Sequence, residues 1–283
     1  MEYKISNRLK LVALVLVIIG ALGVGYGFYS ASQVTEDNIA EYMHDDHHDE
    51  GHAEEGKYDG GNGSIIASLD GEGDTHAEEG HEMTHEEHAL HQIHNRPYAA
   101  LYVAAFFFFM IALGVLAFYA IQYASQAGWS PVLFRVMEGI TAYVLPGGIL
   151  VLLVAAIGDS HIFIWMDDSV VAHDEIIQAK QSWLNKGWFF ARGIIFLAGW
   201  SAYRYFSRKF SLAQDNVDGN SNFKKNFRIS AGFLVFYIYT ESMMSWDWIM
   251  SVDPHWFSTL FGWYVFASMF VSGITVIALI TIY

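Results

Sequence analysis

The 283 residues are 53% hydrophobic, 16% aromatic and only 16% charged, with a formal net charge of −15 at pH 7. Of the 30 Asp and Glu, 18 fall between positions 36 and 87, so the rest of the chain is near charge balance and has the composition of a membrane protein. No cysteine is present, which excludes disulfides, a Cys-x-x-Cys-His haem attachment and a thiolate-held iron–sulfur cluster within the chain.

A hydrocarbon core about 30 Å thick takes roughly 20 apolar residues of helix. Six stretches reach that length: 11–29, 98–123, 132–157, 187–206, 229–250 and 259–283. They predict an all-α integral membrane protein, a multi-pass helical bundle with six spans. Lys and Arg concentrate on the cytoplasmic side of membrane proteins. With the N-terminus cytoplasmic, Lys4, Arg8, Lys10, Arg135, Arg204, Arg208, Lys209, Lys224, Lys225 and Arg228 fall inside, and only Lys57, Arg96, Lys180 and Lys186 fall outside. The predicted organisation is an N-terminal transmembrane anchor (1–30), an acidic His-rich periplasmic loop (31–97), a four-helix membrane bundle (98–258) and the start of a second bundle (259–283).

The first span has the basic start and small-residue end of a secretory signal, but its run exceeds the usual h-region of about 7–15 residues and reads as an anchor. Gly23 and Gly27 form a Gly-x-x-x-Gly pair that lets another helix approach closely, although glycine is common in membrane helices generally. The loop that follows holds ten of the 13 His among Asp, Glu and Gly. Such a composition buries no core and is expected to be disordered or ordered by a partner. In it His81, His85 and His88 are weak metal candidates. With His91 and His94 they would line one helix face, but a solvated acidic loop with adventitious metal affinity explains the same residues.

Ionisable residues inside spans usually face the bundle interior and mark ion, proton or substrate paths. Glu138 lies in the cytoplasmic half of the third span, Arg192 toward the outer side of the fourth and Glu241 near the middle of the fifth. Tyr237, Glu241 and Ser245 recur every four residues and form a polar stripe suited to proton relay. The competing reading is that Arg192 pairs with Glu241 or Asp247 and only fixes packing. Glu138, whose sole basic neighbour along its helix is Arg135, is the stronger proton carrier in this reading, with a raised pKa if it is unpaired.

At the outer end, Asp159 and His161 precede Asp167, Asp168, His173, Asp174 and Glu175. With Asp247, Asp253 and His255 they are expected to form a polar rim beside aromatic walls. A quinone head-group needs those features: proton acceptors, a hydrogen-bonding His and an apolar slot. The tryptophans taken singly fit an ordinary interfacial belt. Pro254 is expected to break helix between the fifth and sixth spans.

The stretch Trp246-Asp247-Trp248-Ile249-Met250-Ser251-Val252-Asp253-Pro254-His255-Trp256-Phe257-Ser258-Thr259, continuing through Phe261-Gly262-Trp263-Tyr264, resembles quinone-binding subunit 2 of quinol:cytochrome c oxidoreductase, the bacterial alternative complex III. The His-rich outer loop after one span is similar too. The resemblance implies a fold like the polysulfide-reductase membrane subunit, with electrons flowing from quinol to cytochrome c. It also implies partners: a multihaem cytochrome c subunit, an iron–sulfur subunit, a related quinone-type membrane subunit and a terminal oxidase. The location implied is the bacterial inner membrane, in contact with lipid, with no nucleic acid as partner. No cofactor is expected to be covalently bound, and menaquinone is the noncovalent one implied.

Family members usually carry about ten helices against the six spans counted here, and the last apolar run stops at Tyr283 without a basic flank or polar tail, so the sequence reads as C-terminally truncated. The leading expectation is a respiratory-complex subunit without its own redox centre, contributing a proton path and a quinone pocket. The alternatives are a divalent-metal transporter or sensor with a His-rich loop, which lacks an intramembrane His cluster, and a purely structural membrane anchor, which leaves Glu138 and Glu241 without a role.

Overall fold

The computed structural model describes residues 7–35, 38–39 and 85–282. Most of the acidic loop, His81 included, lies outside the described residues, as do the side chains of His85 and His88. Every regular element among the described residues is helical, and the chain divides into two units, Met1–Pro97 and Tyr98–Tyr283.

In the first unit, α1 (Asn7–Ser32) is apolar around its whole circumference and exposes Leu11, Leu16, Val17 and Leu22. A helix with no polar face is suited to lipid rather than to water. Gly20, Gly23 and Gly25 face open space and Gly27 meets only Pro97 Cβ at 4.0 Å, so no helix packs on the Gly-x-x-x-Gly pair among the described residues. Past α1 the chain turns where Asn38 Oδ1 accepts from Thr35 N at 2.7 Å and Asn38 Nδ2 donates to Gln33 O at 2.9 Å. The His94 ring Nε2 bonds the Val34 carbonyl at 3.0 Å, near the start of α2 (His85–Ala124).

In the second unit α2 is the central element. Phe109, Leu113, Val115, Leu116, Ala117 and Ala120 are completely buried, so its middle is covered all round, while Val103, Phe107 and Phe108 nearer its start remain exposed. Around it run α3 (Phe134–Ile140), α4 (Val144–Ile162), two short helices α5 (Asp168–His173) and α6 (Glu175–Lys180), then α7 (Lys186–Gln214), α8 (Ser221–Trp248) and α9 (Phe261–Ile282). The α7–α8 hairpin, α8 on α9 and α4 on α7 make the main helix contacts. The core is aromatic: Phe106 and Trp248, Trp200 and Trp248, and Phe163 and Phe189 meet edge to face with centroids 5.2–6.3 Å apart.

Four helical segments are long and apolar enough to cross a membrane: Lys10–Ser32, Ala89–Ala124, Ser130–Ile162 and Phe261–Ile282. They coincide with the expected first, second, third and sixth spans. The expected fourth and fifth fall on α7 and α8, which have 29 and 28 residues but lack uniform apolarity. Both turn polar groups inward, Ser207 and Ser211 from α7 and Asn226, Ser230, Thr240, Glu241, Ser245 and Asp247 from α8. The third span is not one helix. A 3-10 turn at Thr141–Tyr143 separates α3 from α4, Thr141 Oγ1 bonds the Glu138 carbonyl at 3.1 Å, and Pro146 has no N–H to offer Ala142. Helix α8 ends at Trp248, before Pro254.

Helices α2 and α9 cross with their backbones in contact. A Cβ on Gly114 would lie 2.2 Å from the Met269 carbonyl oxygen, and one on Gly273 would lie 3.0 Å from Val115 N. Small residues permit this approach, which binds α9 to the unit. Gly114→Ala is expected to lower the melting temperature of the detergent-solubilised protein by several degrees, since overpacking costs about 1–3 kcal/mol and here the obstacle is backbone. Gly139→Ala, whose Cβ would meet nothing within 4 Å, should leave the temperature unchanged or slightly raised in the same tryptophan-fluorescence melt.

Candidate functional site

Asp247 is the most strongly held ionisable group in the second unit. Its side chain has no exposure, and Arg192 grips it with Nε on Oδ2 at 2.6 Å and Nη2 on Oδ1 at 3.0 Å. Trp183 Nε1 adds a third bond to Oδ1 at 2.8 Å. The guanidinium lies over the Trp183 ring, 4.2 Å from its centroid, and Nη2 also donates to the Trp183 carbonyl at 3.1 Å. Of the pairings considered for Arg192, the structure has the one with Asp247.

Trp183 is thereby fixed as a wall of a cleft of about 670 Å³ between α6 and the chain leaving α8. Trp246, Trp256 and Phe257 supply further aromatic walls, and Lys180, Ser182, Ser251 and His255 the polar groups, with Lys180 Nζ donating to the Pro254 carbonyl. His255 Nε2 lies 2.6 Å from Asp174 Oδ2, while Asp174 Oδ1 caps α6 by accepting from the amides of Ile176 and Ile177 at 2.9 and 3.0 Å. Burial pushes the Asp174 carboxyl up, but the Ile177 amide, His255 and the Ile176 amide outweigh it and hold it below its ordinary 3.8. An ionised carboxylate only accepts hydrogen bonds, so in the neutral ring Nε2 carries the proton. Nδ1, 3.8 Å from Asp253 Oδ1, keeps a lone pair.

The expected outer rim is therefore divided. Of Asp159, His161, Asp247, Asp253 and His255, only His255 lines the cleft, with Asp247 buried behind Trp183 and Asp253 exposed. Asp159 and His161 form a separate group at the end of α4. Asp159 takes a left-handed backbone (φ 29°) that a side chain rarely adopts, and its Oδ2 binds Lys186 Nζ at 2.9 Å. His161 stacks on Tyr98 with centroids 4.5 Å apart and planes 7° from parallel. Asp174 belongs to the acids expected at the rim, and the structure joins it to His255, whereas no motif points to Lys180 or Trp183. A local signal for the position of Asp174 is that it directly precedes a short run able to form helix.

The two carboxylates expected within spans, Glu138 and Glu241, differ from expectation. Glu138 is paired: Arg135 donates to Oε2 at 2.6 Å and Tyr119 to Oε1 at 3.0 Å, while Arg135 also binds Ser211 and Asp215. The unpaired Glu138 that the sequence suggested is therefore not what the structure has. Glu241 is 4% exposed and its Oε1 has no hydrogen-bond partner among the described residues. It lines a cavity of about 220 Å³ with Ala117, Ile121, Tyr237, Trp263 and Phe266. The stripe is not a hydrogen-bonded relay, because the Tyr237 hydroxyl donates to Met269 Sδ at 3.2 Å and Ser245 Oγ to the Ser242 carbonyl at 2.7 Å.

Among the described residues no group of three or more His, Cys, Asp or Glu is placed to hold a metal ion. No protein-family model matches the chain, and no curated protein matches it.

Because Asp174 is held below its ordinary value, its contribution to stability is full above that value and is lost as pH falls through the lower folded one. The difference in unfolding stability between the wild type and Asp174→Asn should be constant from pH 7 to about pH 5. It should shrink below about pH 4. Urea unfolding in detergent followed by tryptophan emission measures it. A difference that shrinks instead between pH 7 and 5 would mean that another group controls the loop.

Proposed function

We propose that this chain is a membrane subunit of a respiratory quinol:cytochrome c oxidoreductase of the alternative complex III type, in a bacterial cytoplasmic membrane. It has six spans, the four apolar segments together with α7 and α8, and a cytoplasmic N-terminus. It carries no redox centre of its own and works beside a multihaem cytochrome c subunit, an iron–sulfur subunit, a second quinone-type membrane subunit and a terminal oxidase. The resemblance of residues 246–264 supports the family reading. The observation that carries the functional one is the His255–Asp174 pair in an aromatic cleft built by that same stretch.

The substrate is a quinol, menaquinol in this reading. Its flat ring suits walls of Trp183, Trp246 and Trp256, and its tail continues along apolar surface. Oxidation releases two protons and two electrons per quinol, and the electrons pass to the partner subunits. Nδ1 of His255 accepts one hydroxyl proton as the general base, and the second hydroxyl proton leaves to water at the mouth of the cleft. The ionised Asp174 orients the ring and stabilises the imidazolium, the role an acid plays behind a catalytic His. Lys180 places a positive charge near the developing quinolate oxygen.

Proton movement toward the membrane interior belongs to Glu241 in this proposal. Glu241 Oε1 has no partner among the described residues and faces a cavity that could admit a proton carrier, whereas Glu138 is held by an arginine and a tyrosine. Glu138 then acts with Arg135 as the anchor of the inner end.

His255→Ala in the assembled complex is expected to lower quinol turnover roughly 100-fold, the low end of general-base effects. Asp174→Asn should give a smaller loss, and Asp159→Asn should turn over nearly normally. Normal turnover in His255→Ala would move quinol oxidation to another subunit. Glu241→Gln should lower the protons moved per electron in reconstituted vesicles while quinol oxidation persists. Glu138→Gln should chiefly lower the melting temperature, so unchanged proton stoichiometry in Glu241→Gln would end the assignment of a proton role to that residue.

A further inference from the structure

Helices α7 and α8 leave a groove between them on the face away from α4. It has a volume of about 370 Å³ and is lined by Gly199, Tyr203, Phe206, Phe210, Phe233 and Phe236, with Ile229 at its inner end. It is built rather than accidental. Gly199 is bare where the Phe236 ring lies on α7, a Cβ there meeting the ring at 2.4 Å, and Tyr203 stacks on Phe233 with centroids 3.8 Å apart and planes 8° from parallel. Its walls are almost wholly apolar, so it suits a hydrocarbon chain.

The inner end of the same hairpin is cationic. Arg208, Lys209, Lys224, Lys225 and Arg228 are all exposed, and none has an ion pair to a carboxylate within 4.0 Å among the described residues. Asp215, an acid of the connecting turn, is taken by Arg135. Lys225 ties the charge to the groove. It lies one turn before Ile229 on α8, and its Nζ stands 5.7 Å from the centroid of Phe210, itself a wall of the groove. Arg228 follows Lys225 by three residues, so it lies on the neighbouring strip of the helix surface.

An apolar slot of this kind, ending at five unneutralised cations, is complementary to one class of molecule, with an acyl chain at one end and a phosphate at the other. We propose that the α7–α8 groove is a binding site for an anionic phospholipid, the acyl chain between Tyr203, Phe206 and Phe233 and the phosphate on Lys225 and Arg228. A zwitterionic lipid offers the same chain but cancels the phosphate charge with its own ammonium group, so the site discriminates by net charge. The proposal rests on the reading above that α7 and α8 cross the bilayer, and on no part of the quinol chemistry.

The intact complex, purified in mild detergent and exchanged into nanodiscs of equal parts phosphatidylglycerol and phosphatidylcholine, tests it. Lipid carried through re-extraction is counted by native mass spectrometry. The wild type is expected to retain phosphatidylglycerol several-fold over phosphatidylcholine, and the exposed double variant Lys225→Gln/Arg228→Gln to lose roughly 30-fold in affinity, the effect of removing two basic residues near an anionic surface. Phosphatidylglycerol with a photoreactive acyl chain should label peptides containing Phe206, Phe210 or Phe233. Equal retention of the two lipids, an unchanged double variant, or labelling confined to other helices would overturn the proposal. So would crosslinking of Lys225 to an acidic segment of a partner subunit. Labelling of Ile195→Cys and Val235→Cys by a membrane-impermeant maleimide in intact membranes reports separately on the spans: reaction there refutes the membrane reading, whereas protection without lipid selectivity refutes only the lipid site.

Discussion

The end of the second unit where α7 begins and α8 ends depends on one buried carboxylate. Asp247 receives three strong donors from two side chains, and each donor is itself held: Arg192 by stacking on Trp183, and Trp183 by its carbonyl bond back to Arg192. A charge removed this completely from water persists only with such a set of partners, and deleting one partner strands the other. The closed triangle fixes α7 against α8 at their outer ends and holds an indole at a definite angle. That indole is a wall of the cleft, so the ion pair is best understood as a device for positioning. As a source of net stability it is poor, since desolvating both ions costs about as much as their attraction returns.

The His255–Asp174 pair depends on this arrangement at one remove. Asp174 caps α6 with one carboxylate oxygen and holds His255 with the other, so a single side chain joins the start of a short helix to the loop after α8. Helix α6 has only six residues and is too short to be stable alone. Its order comes from Ile177, fully buried, and from that cap. A histidine on an unsupported loop would sample many orientations. Here its ring is held by an acid whose own position is set by two backbone amides.

The sequence made the apolar elements legible and left their partnerships hidden. Runs of apolar residues give span length; the first, second and sixth runs are helices close to where composition puts them, and the third is two helices with a break between. Helices α7 and α8 were recognisable by length, but their inward polar residues keep them outside the uniformly apolar class. The break at Thr141–Tyr143 is announced only by Pro146, which is equally at home in the first turn of a helix. Which carboxylate is paired was unreadable in principle. Arg135 lies three residues before Glu138 and could be suspected, but Tyr119 and Ser211 come from other helices. The choice of Arg192 for Asp247 over Glu241 is decided by helix rotation and crossing angle, which spacing along one chain segment does not contain. The same holds for His255 and Asp174, 81 residues apart.

Rotation also explains why the two carboxylates of α8 have opposite fates. Glu241 and Asp247 are six residues apart, about 9 Å along the axis, and at 100° per residue they point some 120° apart around it. Asp247 faces α7 and finds Arg192. Glu241 faces a different side, where its neighbours Ala117 and Ile121 of α2 and Trp263 and Phe266 of α9 supply no cation. The helix body, with Trp248 and Met244 fully buried, stands between them. A proton released in the outer cleft has no hydrogen-bonded path across α8 to Glu241 among the described residues, since Tyr237 and Ser245 spend their hydroxyls elsewhere. One helix thus keeps a carboxylate held by Arg192 and Trp183 apart from one whose Oε1 has no partner among the described residues, and the cavity beside Glu241 opens between α8, α2 and α9.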